Sequence, residues 1–364
     1  MQYLSARVSS RDNNLNLIRM IAAIGVIVSH SFPITMGYGA FEPLKALAGE
    51  SLGWFCVAVF FYISGFLIAR SYVRRPSLTH WSVARFLRLF PGLFVVLVLT
   101  VLLFGPLTTV HSIGDYAADP ATWTYLPRNL SLYSLQWTLP GVIEGNPYGP
   151  TINGSLWTLF YEVICYAGVF VAGMLGLLER PRMFAISVAV FILLYVSPLI
   201  IGFNLSDLAG GRPGSLMRLA FPFVLGMMTF VYRDHIRLDW RIAVVLWLIA
   251  APFFGSDWFT MLLIIALNYS VLILAYVPRG VILAYNRLGD FSYGTYIYAF
   301  PMQQLAVHLY PGQAWYENVA LALAPTLILA VASWKLVEKP SLGLVGSLSE
   351  RMVTWKAPRL AEER

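Results

Sequence analysis

Asn16-Leu17-Ile18-Arg19-Met20-Ile21-Ala22-Ala23-Ile24-Gly25-Val26-Ile27-Val28-Ser29-His30 is apolar over most of its length, yet it carries an arginine near one end and a histidine at the other. A helix needs about 20 mostly apolar residues to cross the hydrocarbon core of a bilayer, and the run 15–35 supplies them. Arg19 and His30 are eleven positions apart. At about 100° per residue this puts them on one helical face, about 16 Å apart along the axis. Ala22, Ala23 and Gly25 lie between them, and small side chains let a second helix approach closely.

Nine further apolar runs follow, at 53–71, 89–107, 153–177, 183–202, 215–232, 241–255, 258–277, 289–309 and 314–336. The seventh span is short and is parted from the eighth only by Phe254-Gly255-Ser256-Asp257, so the two could be one hairpin. Across the 364 residues, 58% are hydrophobic and 12% charged, with a mean hydropathy of +0.69. Soluble domains carry about 25% charged residues. This composition excludes an ordinary cytosolic enzyme, a disordered chain and a nucleic-acid binder. The sequence therefore predicts an all-α, polytopic integral membrane helical bundle of about ten spans. Residues 1–343 form the membrane domain and 344–364 a basic cytoplasmic tail.

Charge placement supports that count. Cytoplasmic segments hold an excess of Lys and Arg. With the N-terminus inside, one side collects Arg7 and Arg11, then Arg70, Arg74, Arg75, Arg85 and Arg88, then Arg180 and Arg182. The same side takes Arg233, Arg237, Arg241, Arg279, Arg287, Lys335, Lys339, Arg351, Lys356, Arg359 and Arg364. The other side holds only Lys45, Arg128, Arg212 and Arg218. The net charge of +7 is thus a topological signal, and both termini are expected in the cytoplasm. No secretory signal peptide is expected: the first apolar run is too long and no small-residue cleavage site follows it. Cys56 and Cys165 sit in apolar runs, and the five histidines form no metal-binding spacing, so no metal site is expected.

Charged groups inside a membrane are costly and usually functional. Arg19, His30 and Glu162 are the three that stand out. Each has a plainer reading. Arg19 could snorkel to the inner headgroups, and His30 could be a satisfied polar residue near the outer interface. Glu162 needs a partner or a proton, and Arg19 and His30 are candidates. Arg85 and Arg88, spaced i and i+3 at the mouth of the third span, share a face. Two guanidinium forks there suit phosphate groups, and they also suit plain positive-inside anchoring. The longest connection, 108–152, holds Trp123, Tyr125, Tyr133, Trp137 and Tyr148. These rings could stack on sugars or belong to an interfacial aromatic belt.

With these residues in hand, the chain resembles the membrane-bound O-acyltransferases of the acyltransferase family 3 type, which includes bacterial polysaccharide and Nod-factor acylators. The resemblance runs from about residue 12 to 343. It is carried, in order, by Arg19-x10-His30, Phe60-Phe61-Tyr62-Ile63-Ser64-Gly65-Phe66-Leu67-Ile68 and Arg85-x-x-Arg88. Leu156-Trp157-Thr158-Leu159 leading to Glu162, Phe291-Ser292-Tyr293-Gly294-Thr295-Tyr296-Ile297-Tyr298 and Val337-Glu338-Lys339-Pro340 complete it. It implies transfer of an acyl group, commonly acetyl, from cytoplasmic acyl-CoA to a carbohydrate hydroxyl of a cell-surface or exported glycan, at the bacterial inner membrane. The family residues that match are Arg19, His30, Arg85, Arg88 and Glu162.

Two departures stand out. Many members have a histidine in a Tyr-x-x-His-x-Pro region where this chain has Ala299. Some carry a C-terminal extracytoplasmic esterase-like domain that is not expected here, so transfer is completed by this chain alone or with a partner. The resulting expectation makes His30 the general base, with Glu162 orienting or charge-pairing within the same polar interior, Arg85 and Arg88 holding the CoA phosphates, and Arg19 guiding the donor or stabilising charge. A proton-coupled transporter or flippase, or a non-catalytic assembly factor, are the competing classes. The absence of an internal repeat counts against the carrier.

Overall fold

The computed structural model describes residues 2–10, 12–201 and 211–352. Arg11, Lys356, Arg359 and Arg364, counted above, lie outside the described residues, as does the tail from 353 onward. Helices occupy all ten expected runs: α1 (Leu15–Met36), α2 (Leu52–Arg74), α3 (Leu78–Leu99), α4 (Trp157–Met174) and α5 (Pro181–Ile201). They continue with α6 (Arg212–Val231), α7 (Trp240–Ala250), α8 (Asp257–Tyr276), α9 (Ser292–Leu309) and α10 (Trp315–Ser333).

The fold is all-α and multi-pass. Among the described residues, eight helical stretches are long and apolar enough to cross a bilayer. Helices α7 and α9 are the two that fall short. Helix α7 has 11 residues and folds back through the turn at Gly255 (φ +80°) onto α8, where Trp247 Nε1 donates to Ser270 Oγ at 3.0 Å. The hairpin reading of that pair is therefore the better one. Helix α9 is long enough at 18 residues, but Ser292, Thr295, Gln303 and Gln304 make it too polar.

Two boundaries also move. Helix α3 starts at Leu78 rather than near 89, and Ser77 caps it by accepting from the His80 N–H. Helix α10 passes through a π turn, Trp334–Glu338, and the helical stretch continues to Met352. Glu338-Lys339-Pro340 thus lies within a helix.

The chain divides into two compact units. The first comprises the N-terminus to Val26, Phe41–Arg74 and Tyr161–Asp290. Its core joins Phe55 and Ala58 of α2, Phe221 of α6, and Leu263 and Ile264 of α8. Helices α2 and α6 meet at two facing glycines. A Cβ on Gly65 would lie 2.0 Å from the Phe223 carbonyl oxygen, and one on Gly226 would lie 2.0 Å from that of Tyr62. The glycine of the Phe60–Ile68 motif is thus a backbone contact point. Gly65→Ala and Gly226→Ala are each expected to lower stability by about 1–3 kcal/mol, the usual range for overpacking. Gly168→Ala in α4, whose added methyl would meet nothing within 4 Å, serves as the unaffected control in thermal unfolding of detergent-solubilised protein. At the N-terminus, Asn14 donates from its backbone to Ala275 O (2.8 Å) and from Nδ2 to Leu274 O (3.2 Å), pairing carbonyls that the end of α8 leaves open.

The second unit comprises Ile27–Ala40, Arg75–Phe160 and Phe291 onward. Helices α9 and α10 pack closely at Gly294, where a Cβ would lie 2.8 Å from Ala330 Cα. Helix α3 meets α9 through Tyr293, whose hydroxyl donates to Leu89 O at 2.8 Å. The long connection is ordered. Short helices Ile113–Ala118 and Pro120–Leu130 are capped by Ser112 and Asp119, and Tyr116 donates to Val101 O at 2.9 Å. Of its aromatics, Tyr125 is core at 1% exposure, so it is not available for stacking. Trp123, Tyr133 and Trp137 are exposed.

Candidate active site

In the second unit, His30 lies one turn past the Ile27 carbonyl, and its Nδ1 is buried without a hydrogen-bond partner among the described residues. Its ring meets Phe300 edge-on at 5.2 Å between centroids. Phe300 meets Tyr148 in the same way at 5.6 Å, and Tyr148 lies 6.0 Å from Tyr38, which is 89% exposed. A file of aromatic rings therefore leads from the surface to the imidazole. Burial pushes the Tyr148 hydroxyl above the usual phenol value.

Two adjacent glutamines of α9 hold this arrangement. Gln303 Nε2 donates to Ile27 O (2.8 Å) and to Asn318 Oδ1 (3.0 Å), and Asn318 Nδ2 donates back to Gln303 O (3.0 Å). This grips the helical turn from which His30 projects. Gln304 Nε2 donates to Thr151 O (2.7 Å), and Asn146 Nδ2 donates to Gln304 O and Oε1 (2.9 and 2.8 Å). The connection that carries Tyr148 is thus clamped to α9. Sequence reasoning missed these residues. The available signal was Gln303-Gln304 inside an apolar run, where each amide must find partners.

Arg85 and Arg88 sit within α3, about two and three turns from its start at Leu78, not at its mouth. Arg88 Nη1 donates to Glu338 Oε2 at 3.1 Å, and Ser333 Oγ donates to Glu338 Oε1 at 2.9 Å. The guanidinium carbon rests 5.6 Å from the Tyr293 ring centre and 5.8 Å from that of Trp334. Glu338 is 1% and Arg88 14% exposed at the side chain. Gly92 leaves room for this cluster: a Cβ there would meet the Tyr293 ring at 2.9 Å. Three of the motifs that carry the family resemblance, Arg-x-x-Arg, the Phe291–Tyr298 run and Val-Glu-Lys-Pro, therefore converge on one ion pair. The π turn that presents Glu338 is a type of local irregularity frequent at functional sites.

In the first unit, Arg19 pairs with Asp290 and lies 5.9 Å from the centre of the Phe60 ring. Glu162 accepts from the Tyr166 hydroxyl. The sequence offers Arg19 and His30 as partners for Glu162. The structure pairs Arg19 with Asp290 instead and gives Glu162 a tyrosine one turn along its own helix. Asp290 was missed, although it directly precedes the Phe291–Tyr298 motif.

The family-3 acyltransferase domain matches residues 12–335. The chain belongs to that family. This acyltransferase is 30% identical to an O-acetyl transferase of Shigella phage Sf6, over 96% of this chain and 99% of the phage protein. It is 27% identical to Nodulation protein 10 of Rhizobium leguminosarum bv. viciae, over 95% and 97% of the two chains. No solved structure matches it significantly.

Proposed function

We propose that the acyltransferase moves an acetyl group from cytoplasmic acetyl-CoA to a carbohydrate hydroxyl of a cell-surface or exported glycan at the bacterial inner membrane. The observation that carries this reading is the His30 imidazole, buried with Nδ1 unpaired at the inner end of an aromatic file. The imidazole takes the proton of the sugar hydroxyl. The oxygen attacks the thioester carbonyl, the C–O bond forms, the C–S bond breaks, and the departing thiolate takes the proton from the imidazolium to leave as the thiol. Histidine suits the base role near neutral pH, and the good thiolate leaving group needs no strong acid. Arg85 and Arg88 hold the CoA phosphates, Arg19 guides the donor and Glu162 orients the polar interior. The phage relative's name supports O-acetylation, and the exposed aromatics support a sugar acceptor.

The test is glycan analysis of cells with and without this chain, paired with labelled acetyl-CoA and membrane vesicles. Loss of one O-acetyl substituent on deletion supports the reading; an unchanged glycan, or glycan uptake without acylation, overturns it. Arg85→Ala is expected to raise KM for acetyl-CoA about 10-fold or more, the range for a hydrogen bond to a charged group. Steady-state kinetics in the same vesicles measures this.

A further inference from the structure

The first unit contains a cavity of ≈ 320 Å³ that the acyl-transfer reading does not use. Tyr62 of α2, Thr229 of α6, Leu246 of α7 and Asn268 of α8 all line it. Its size falls at the lower end for small-molecule sites, which are mostly apolar with a few placed polar groups.

The polar groups on its wall are matched, with one exception. Tyr62 Oη and Thr229 Oγ1 are 3.1 Å apart, and Thr229 donates to Leu225 O at 2.8 Å. The Tyr269 hydroxyl donates to Arg237 O at 2.6 Å. Asn268 is 2% exposed, and neither its Nδ2 nor its Oδ1 has a hydrogen-bond partner among the described residues. A buried carboxamide with both donor and acceptor unmet is costly and calls for an explanation. Ordered water needs two to four polar partners, and this wall offers few. The lining also reaches Tyr232 and Ile236, in the connection that carries Arg233 and Arg237.

We infer that this cavity binds a slender chain through one secondary amide. The ligand N–H donates to Asn268 Oδ1 and its carbonyl accepts from Nδ2, while an anionic head is served by the basic connection. An ester would leave Oδ1 unmet. Two sources carry such an amide: the pantetheine arm of a thioester donor, which has two, and an N-acylated bilayer amphiphile, which has one. The first of these sources rests on the acyl-transfer reading and the second does not, and binding is measured without turnover, so failure of either is told apart.

The experiment uses the full chain in phosphatidylcholine nanodiscs. Radiolabelled N-dodecanoyl taurine is compared with dodecanoyl isethionate, its ester isostere with the same anionic head. The wild type is expected to bind the amide about 10-fold more tightly, as leaving a buried polar group unmet implies. Asn268→Leu is expected to erase that preference while retaining ester binding, and Leu246→Trp to block both probes by filling the space. Displacement of the taurine probe by 4′-phosphopantetheine assigns the donor's arm; no displacement assigns the bilayer amphiphile. Equal affinity for amide and ester in the wild type overturns the inference whether or not the variants fold. So does failure of both probes to bind, or a preference that survives Asn268→Leu.

Discussion

His30→Ala is expected to reduce acetyl transfer by about 10²–10⁴-fold, the contribution of a positioned general base. Insertion, thermal stability and acetyl-CoA binding should change little. The imidazole makes an edge contact with Phe300 but no hydrogen bond from Nδ1, so its removal breaks no polar network. A second variant separates chemistry from architecture. Gln303→Leu leaves the imidazole in place but releases the Ile27 carbonyl that Gln303 now holds. It should lower kcat less than His30→Ala does, with KM for acetyl-CoA near the wild-type value. Single-turnover transfer from labelled acetyl-CoA distinguishes these outcomes. Wild-type turnover in folded His30→Ala protein would remove the base assignment.

Glu338→Ala is expected to destabilise the acyltransferase by about 3–5 kcal/mol, the cost of leaving a buried charge uncompensated. The side chain is 1% exposed and its oxygens accept from Arg88 and Ser333. Its loss strands a guanidinium packed between Tyr293 and Trp334. The double variant Arg88→Met/Glu338→Leu should recover most of that stability, because a buried ion pair is often replaceable by packed apolar groups. If Arg88 also holds the CoA phosphates, the double variant stays folded yet shows a raised KM for acetyl-CoA. Thermal unfolding and kinetics on the wild type, Glu338→Ala and the double variant check both parts. Equal stability of wild type and Glu338→Ala would show that the pair carries no structural role.

The two ends of α3 and the interior of α9 show what a sequence does and does not disclose. Hydropathy located each of α1 to α10, because a lipid-facing run must be apolar over most of its length. It misplaced the start of α3 because Leu78–Arg88 is polar enough to read as a loop, although Ser77 caps a helix there. It counted α9 as an ordinary span, yet the polar groups of that helix are spent on neighbouring backbone and side chains. Arg19, His30, Glu162, Arg85 and Arg88 were legible because an ionisable group in an apolar run is conspicuous. Their partners were not. Asp290 and Glu338 stand at the edges of apolar runs, where a carboxylate attracts no notice, and only the folded chain reveals which cation each one faces.

The wide turn at Trp334–Glu338 also sets the phase of everything after it. Each residue advances a regular helix by about 100°, so the residue accommodated in that turn determines which way Glu338 and the following stretch to Met352 point. Deleting a single residue at Lys335 would let the helix run on at its regular pitch, swing the carboxylate away from Arg88 and turn the stretch beyond Pro340 to a new side. Length at this one point therefore matters to the acyltransferase as much as the identity of any residue within it.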